Sequence, residues 1–126
     1  MMNAACAVHH VPFKLYLQPS AFTKAKLSPE EKSLLLKGYC SGSEEKFDAL
    51  SLAHKSYRAA FDAVPKPFPF TDLGDGFGQT ESTIYLDACH YNEEGSALLA
   101  REIAKDLAPI IRAQLDGCFE GAKNPG

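Results

Sequence analysis

Phe13, Leu15 and Leu17 share one face of the segment 11–17, and Lys14 and Tyr16 share the other. A period of two predicts a strand, and Pro12 is tolerated near its start. Gln18-Pro19-Ser20 ends it. Ahead of it, residues 1–10 carry the good helix formers Ala4, Ala5 and Ala7 with no capping residue before them, and are expected to be the last turns of a helix. His9 and His10 are a candidate pair of metal ligands, but they are expected to end that helix, where a cationic side chain suits the dipole. Ser28-Pro29-Glu30-Glu31 is a strong helix start: Ser28 caps, Pro29 takes the first position and Glu31 completes a capping box. Leu34, Leu35 and Leu36 supply the apolar face of this helix, and Gly38 is expected to stop it. Ser41 or Ser43 caps a second helix over 43–64, in which Phe47, Leu50, Tyr57, Phe61 and Val64 predict one buried stripe. His54 lies in a gap of that stripe, where packing is the expected role. Pro65, Pro67 and Pro69 break the helix. Short strands are expected near 68–71 and over 83–86, separated by a loop at 72–78. Asn92 can cap a last helix bearing Leu98, Leu99, Ile103, Leu107, Ile110 and Ile111, interrupted at Pro109 and ended near Gly117. Residues 120–126 are expected to fray.

Strands alternating with helices indicate an α/β layered fold with a mainly parallel sheet and about three strands. Length allows one domain, 1–126, in a chain of 126 residues. With 45% hydrophobic and 23% charged residues, the composition is that of a globular protein. Thirteen Lys and Arg stand against 16 Asp and Glu, a formal charge of -3, so the basic surplus of a nucleic-acid module is missing. No stretch approaches the roughly 20 apolar residues that span a bilayer. The N-terminus lacks a basic region and an apolar run of secretory length. Cys6, Cys40, Cys89 and Cys118 are too dispersed for any C-x-x-C pair, and free thiols are expected.

The sharpest chemical feature is Asp87-Ala88-Cys89-His90, placed after an expected strand and before an amphipathic helix. Functional groups gather at the carboxyl ends of strands in α/β sheets. A carboxylate three residues before a histidine can fold back on Nδ1, fix the tautomer and leave Nε2 to take a proton. A helix-capping loop with a surface histidine is the competing explanation. Cys89 and His90 are neighbours, and on an extended chain their side chains diverge, which disfavours Cys89 as a nucleophile. Asp72, Asp75, Asp87 and His90 form an alternative set of ligands for a divalent cation, although the full calcium-loop spacing is lacking.

Tyr85-Leu86-Asp87-Ala88-Cys89-His90-Tyr91-Asn92-Glu93-Glu94-Gly95, followed by Ala97-Leu98-Leu99-Ala100 and Ile103-Ala104, resembles the last block of the SGNH (GDSL-type) hydrolases. Phe13-Lys14-Leu15-Tyr16-Leu17-Gln18-Pro19 resembles one of that family's core strands. Phe70-Thr71-Asp72-Leu73 and Phe77 resemble the strand and loop before the histidine block. The resemblance runs from residue 8 to about 111. It implies a flavodoxin-like three-layer α/β/α sandwich, hydrolysis of acyl or acetyl esters of lipids or carbohydrates, and neither metal nor cofactor. It also implies Asp87 as the orienting acid and His90 as the general base.

The sequence departs from the family pattern at its front. It has no Gly-Asp-Ser, no Gly-x-Ser-x-Gly and no Gly-x-Asn-Asp block. The serines before Asp87 are Ser20, Ser28, Ser33, Ser41, Ser43, Ser51, Ser56 and Ser82, and none stands in a nucleophile motif. A βα unit takes roughly 30 residues, so a five-stranded sandwich needs more chain than this. The expectation is therefore the C-terminal portion of such a domain. The substrate is expected to be a small-molecule ester or acylated carbohydrate handled by a longer parent. The isolated chain is expected to be inactive, with an exposed sheet edge that favours self-association. A non-catalytic binding or structural remnant is the alternative.

Overall fold

The computed structural model describes residues 2–74, 76–77 and 80–122, with backbone alone for residues 3 and 117–122. Asp75, one of the residues considered for a cation, and residues 123–126 of the expected tail lie outside the described residues. In chain order the elements are α1 (Met2–Val8), β1 (Leu15–Leu17), a 3-10 turn (Ala21–Thr23), α2 (Pro29–Tyr39), α3 (Glu44–Ala63), β2 (Phe70–Asp72) and α4 (Glu93–Ala122).

β1 and β2 pair in parallel, with Leu15 opposite Phe70, Tyr16 opposite Thr71 and Leu17 opposite Asp72. The crossover between them carries α2 and α3, the usual solution for parallel strands. The architecture is thus a helix-rich α/β arrangement around a two-stranded sheet. Each strand has one ladder partner among the described residues, so each keeps an open edge.

The third expected strand, over 83–86, does not form. Its backbone donors are taken by other acceptors: Ile84 and Tyr85 donate to the Glu31 carboxylate, and Leu86 donates to the His90 carbonyl. With the Ile84 and Tyr85 amides turned to a side chain, the pairing does not extend into a strand there. A single antiparallel bridge, Tyr85 with Tyr91, replaces it.

Local signals decide the helix starts. Ser28 accepts from the Glu31 amide while Glu31 accepts from the Ser28 amide, a complete capping box with Pro29 in the first turn. Ser43, not Ser41, caps α3 by accepting from the Lys46 amide. Gly38 does not end α2. The helix runs one residue further, to Tyr39 with Cys40 as its cap, and the chain then turns away through Ser41 and Gly42, both with positive φ. α4 continues through Pro109 and past Gly117 to Ala122, so neither residue acts as the stop that was expected.

The core is made at the carboxyl end of the strands rather than on the sheet faces. Phe22, Leu35, Leu73, Phe77, Ile84, Tyr85 and Leu99 are buried together there. Burying each such side chain contributes about 1.5–3 kcal/mol. α3 spans this core and the sheet through Phe47 against Phe22 and Phe61 against Phe70. Its expected stripe is only partly used, because Tyr57 and Val64 remain exposed. His54 packs as expected: its ring stacks on Phe22 at 4.9 Å, with Nδ1 3.3 Å from the Ser20 hydroxyl. α4 is tied to both strands through Asp106, which accepts from the Tyr16 hydroxyl at 2.9 Å, contacts Thr71 and pairs with Lys14. Burial along α4 fades toward its C-terminus, where Ile111 and Leu115 are exposed. Among the described residues, no helix is long and apolar enough to cross a membrane. Cys6, Cys40 and Cys89 are free thiols.

Candidate active site

The loop that carries Asp87 and His90 is held from below by a buried carboxylate. Glu31 Oε2 accepts from the Ser28 amide at 2.8 Å and from Lys24 Nζ at 2.6 Å. Its Oε1 accepts from the amides of Ile84 at 2.8 Å and Tyr85 at 3.0 Å. Burial pushes the Glu31 carboxyl up, but Lys24 and the three amides outweigh it and leave the group below its ordinary value. The capping residue recognised in the sequence is therefore also the acceptor that fixes the chain entering the site.

Above this anchor the chain doubles back. Asn92 donates its amide to the Ile84 carbonyl at 2.8 Å, and Leu86 donates to His90 at 2.9 Å. Asn92 also caps α4, its side-chain oxygen accepting from the Gly95 amide at 2.9 Å. Gly95 sits where a Cβ would lie 2.3 Å from the Ile84 side chain, so glycine allows α4 to start against the loop. Phe77, Tyr85 and Tyr91 pack edge to face beneath it, with centroids 5.2–5.3 Å apart.

A second set of bonds joins the loop to the chain leaving β1. Gln18 Nε2 donates to the Cys89 carbonyl at 2.6 Å, the Ala21 amide donates to Ala88 at 3.0 Å, and the Tyr91 hydroxyl donates to Pro19 at 3.0 Å. Asp87 and His90 thus stand beside the carboxyl end of a parallel strand, where α/β folds place function.

Within the loop, Asp87 uses its two oxygens for different tasks. Oδ1 accepts from the amides of Cys89 at 2.8 Å and His90 at 2.7 Å. Oδ2 lies 2.6 Å from His90 Nδ1. The Cys89 amide first, then the His90 ring and amide, hold the Asp87 carboxyl well below the usual range. An ionised carboxylate only accepts, so Nδ1 carries a proton, and in the neutral ring the lone pair is then on Nε2. The His90 side chain is 73% exposed, and no described residue bonds its Nε2. The expected fold-back of Asp87 on His90 is therefore realised.

Cys89 departs from expectation. The loop is bent around the Asp87 carboxylate, and Sγ comes within 3.7 Å of His90 Nδ1 instead of pointing away. This does not make a cysteine triad. Sγ faces the ring nitrogen that Asp87 already holds, whereas a triad needs nucleophile and acid on opposite nitrogens. Partial desolvation and the Asp87 charge also push the Cys89 thiol up, which disfavours the thiolate. Asp72 is not near this group: its carboxylate is engaged by Arg58 and by the Gly74 amide.

No serine hydroxyl among the described residues is bonded to His90. Ser20 faces His54 and accepts from the Phe22 amide, Ser28 caps α2, and Ser43 caps α3. Cavities of about 430–620 Å³ are lined elsewhere; the one of about 430 Å³ is formed by Thr23, Lys55, Arg58, Ala59, Asp62, Asp72 and Gly74. The Asp87–His90 pair stands on open surface. The residues that sequence reasoning missed are Gln18, Tyr91 and Glu31 in its anchoring role. Gln18 and Tyr91 lie inside the stretches that carry the family resemblance, which was the available signal. Comparisons of the chain with family models, curated proteins and solved structures return no match.

Proposed function

We propose that the chain carries the acid–base half of an SGNH-type serine ester hydrolase. The supporting observation is the 2.6 Å contact between Asp87 Oδ2 and His90 Nδ1, with Nε2 turned to solvent. In this reading a serine supplied by residues other than those described approaches Nε2. His90 takes its proton as the serine oxygen bonds to the ester carbonyl carbon. The leaving alcohol departs with that proton, giving an acyl-enzyme, and water attacks by the same steps in reverse roles. Asp87 holds the ring and stabilises the imidazolium. No metal or cofactor takes part.

The proposal extends to the fold. The open edges of β1 and β2 take the remaining strands of a flavodoxin-like sandwich, and the exposed surface at His90 becomes the floor of an ester pocket. Without those strands the edges pair with a second copy of the chain.

The test is complementation. The isolated chain is expected to hydrolyse a short-chain chromogenic ester no faster than buffer. Coexpression with the Ser- and Asn-bearing half of an SGNH hydrolase is expected to produce turnover that His90→Ala abolishes. Turnover that ignores this substitution would refute the reading.

A further inference from the structure

A proton-transfer triad and a cation site make opposite demands on a histidine. The triad needs its two partners on opposite ring nitrogens, whereas a cation needs several lone pairs aimed at one point. Asp87, Cys89 and His90 gather their ligand atoms closely enough for the second once Nδ1 and Sγ give up their protons. Their ligand atoms all lie within 4.8 Å of one another. Cys89 Sγ and Asp87 Oδ2 approach the same atom, His90 Nδ1, at 3.7 Å and 2.6 Å.

We propose that Asp87, Cys89 and His90 bind a thiophilic divalent cation such as Zn2+, with His90 ligating through Nδ1. Zinc–sulfur and zinc–nitrogen bonds of about 2.3 Å and 2.05 Å at a tetrahedral angle set the two atoms about 3.6 Å apart. The observed 3.7 Å is already close to that separation. The carboxylate oxygen needs about 3.4 Å from Nδ1 by the same geometry. The Asp87 oxygen must therefore swing outward by under 1 Å, while Oδ1 keeps its two amides. Thiolate, imidazole and carboxylate together suit zinc better than magnesium or calcium, which prefer oxygen alone. Three protein ligands leave one position for water or another donor.

The protons balance. Cys89 releases one to solvent on ligation, and the proton on Nδ1 moves to Nε2. The metal-bound ring then presents an N–H where the free ring presents a lone pair. On the hydrolase reading, occupancy of this site and general-base catalysis exclude one another. Binding itself does not depend on that reading, and it is measured without any ester.

The experiment titrates the full chain with Zn2+ against a chromophoric chelator, and with Cd2+ while recording the thiolate-to-metal absorption band. One equivalent is expected to bind and to produce the band. Cys89→Ser is expected to remove the band and weaken Zn2+ binding by about 100-fold or more, since even outer-shell partners of a site contribute about 10–100-fold. His90→Ala and Asp87→Asn are expected to weaken binding as well, and Cys6→Ser and Cys118→Ser to leave it unchanged. Zn2+ affinity that survives Cys89→Ser, or a Cd2+ band carried by Cys6 or Cys118, would overturn the proposal. So would the lack of any binding above the level of a His90→Ala, Cys89→Ser double variant.

Discussion

Lys24 Nζ lies 2.6 Å from Glu31 Oε2, and both side chains are fully closed to solvent. Such a pair contributes more to specificity than to stability while it is whole, because both charges lose their hydration. Here the lysine also donates to the Ser82 carbonyl and the glutamate holds three amides. The pair therefore decides where residues 82–85 run, and through them where Asp87 begins.

Breaking the pair on the acid side is expected to be costly. Glu31→Ala leaves a buried ammonium unpaired and the Ile84 and Tyr85 amides without an acceptor. A loss of about 3–5 kcal/mol is expected, read from urea unfolding at neutral pH. A loss under about 1 kcal/mol would mean that water replaces the carboxylate.

Acid should act through the same group. The folded Glu31 carboxyl titrates below its ordinary value, so its contribution is full above the unfolded value of about 4.3. It is lost as pH falls through the lower folded value. Stability is expected to drop below about pH 4, with the exchange of the Ile84 and Tyr85 amides accelerating in step. Glu31→Gln should remove that part of the acid dependence, and an unchanged acid profile in this variant would show that other carboxylates govern it.

Gly95 offers a steric test. A methyl group there meets Ile84 Cγ2 at 2.3 Å and Tyr91 Cβ at 3.0 Å. Ile84 is fully buried and has no room to withdraw. Gly95→Ala is expected to cost about 1–3 kcal/mol despite alanine's better helix propensity. A thermal midpoint at or above that of the wild type would show that α4 can shift away.

Tyr85 runs the other way. Its hydroxyl is buried with no hydrogen-bond partner among the described residues, and burial pushes its pKa up. Tyr85→Phe removes an unsatisfied group while keeping the ring against Phe77 and Tyr91. Stability is expected to be unchanged or to rise by up to about 1 kcal/mol. A clear loss in calorimetry would reveal a partner for the hydroxyl.

Asp87→Asn separates the two tasks of the carboxylate. The amide oxygen can still accept from the backbone of Cys89 and His90, but the pull that holds the proton on Nδ1 is weakened. Nitrogen NMR of the His90 ring is expected to report the Nδ1–H form in the wild type and a shift toward Nε2–H in the variant. In a complemented esterase the same change should lower turnover by about 10⁴-fold. An unaltered ring spectrum would refute the orienting role.

Much of this was legible because it is local. The capping box at Ser28, the cap at Asn92 and the Asp87–His90 fold-back each involve residues three positions apart, where sequence spacing fixes geometry. The non-local parts were not. Residues 83–86 have the composition of a strand, but two of their amides go to a carboxylate from α2 instead of to a ladder partner. The stripe on α3 has helical spacing, yet Tyr57 and Val64 within it stay exposed. The approach of Cys89 to His90 depends on a bend imposed by Asp87, and a rule for extended neighbours could not foresee it. Likewise, the resemblance set Gln18 at the end of a core strand but not its bond to the Cys89 carbonyl, which exists only once the end of β1 meets the loop.

The parallel pairing of β1 with β2 also sets an order of events in time. α2 and α3 are built from contacts a few residues apart and can form early. The ladder between Leu15–Leu17 and Phe70–Asp72 must first close the whole intervening crossover, which raises the entropic barrier and slows folding. The loop bearing His90 is expected to follow, since it leans on the chain leaving β1 and on Glu31 in α2. In a refolding experiment the helical signal should therefore recover before the His90 ring finds Asp87, making this corner of the molecule the last to assemble and the first to open.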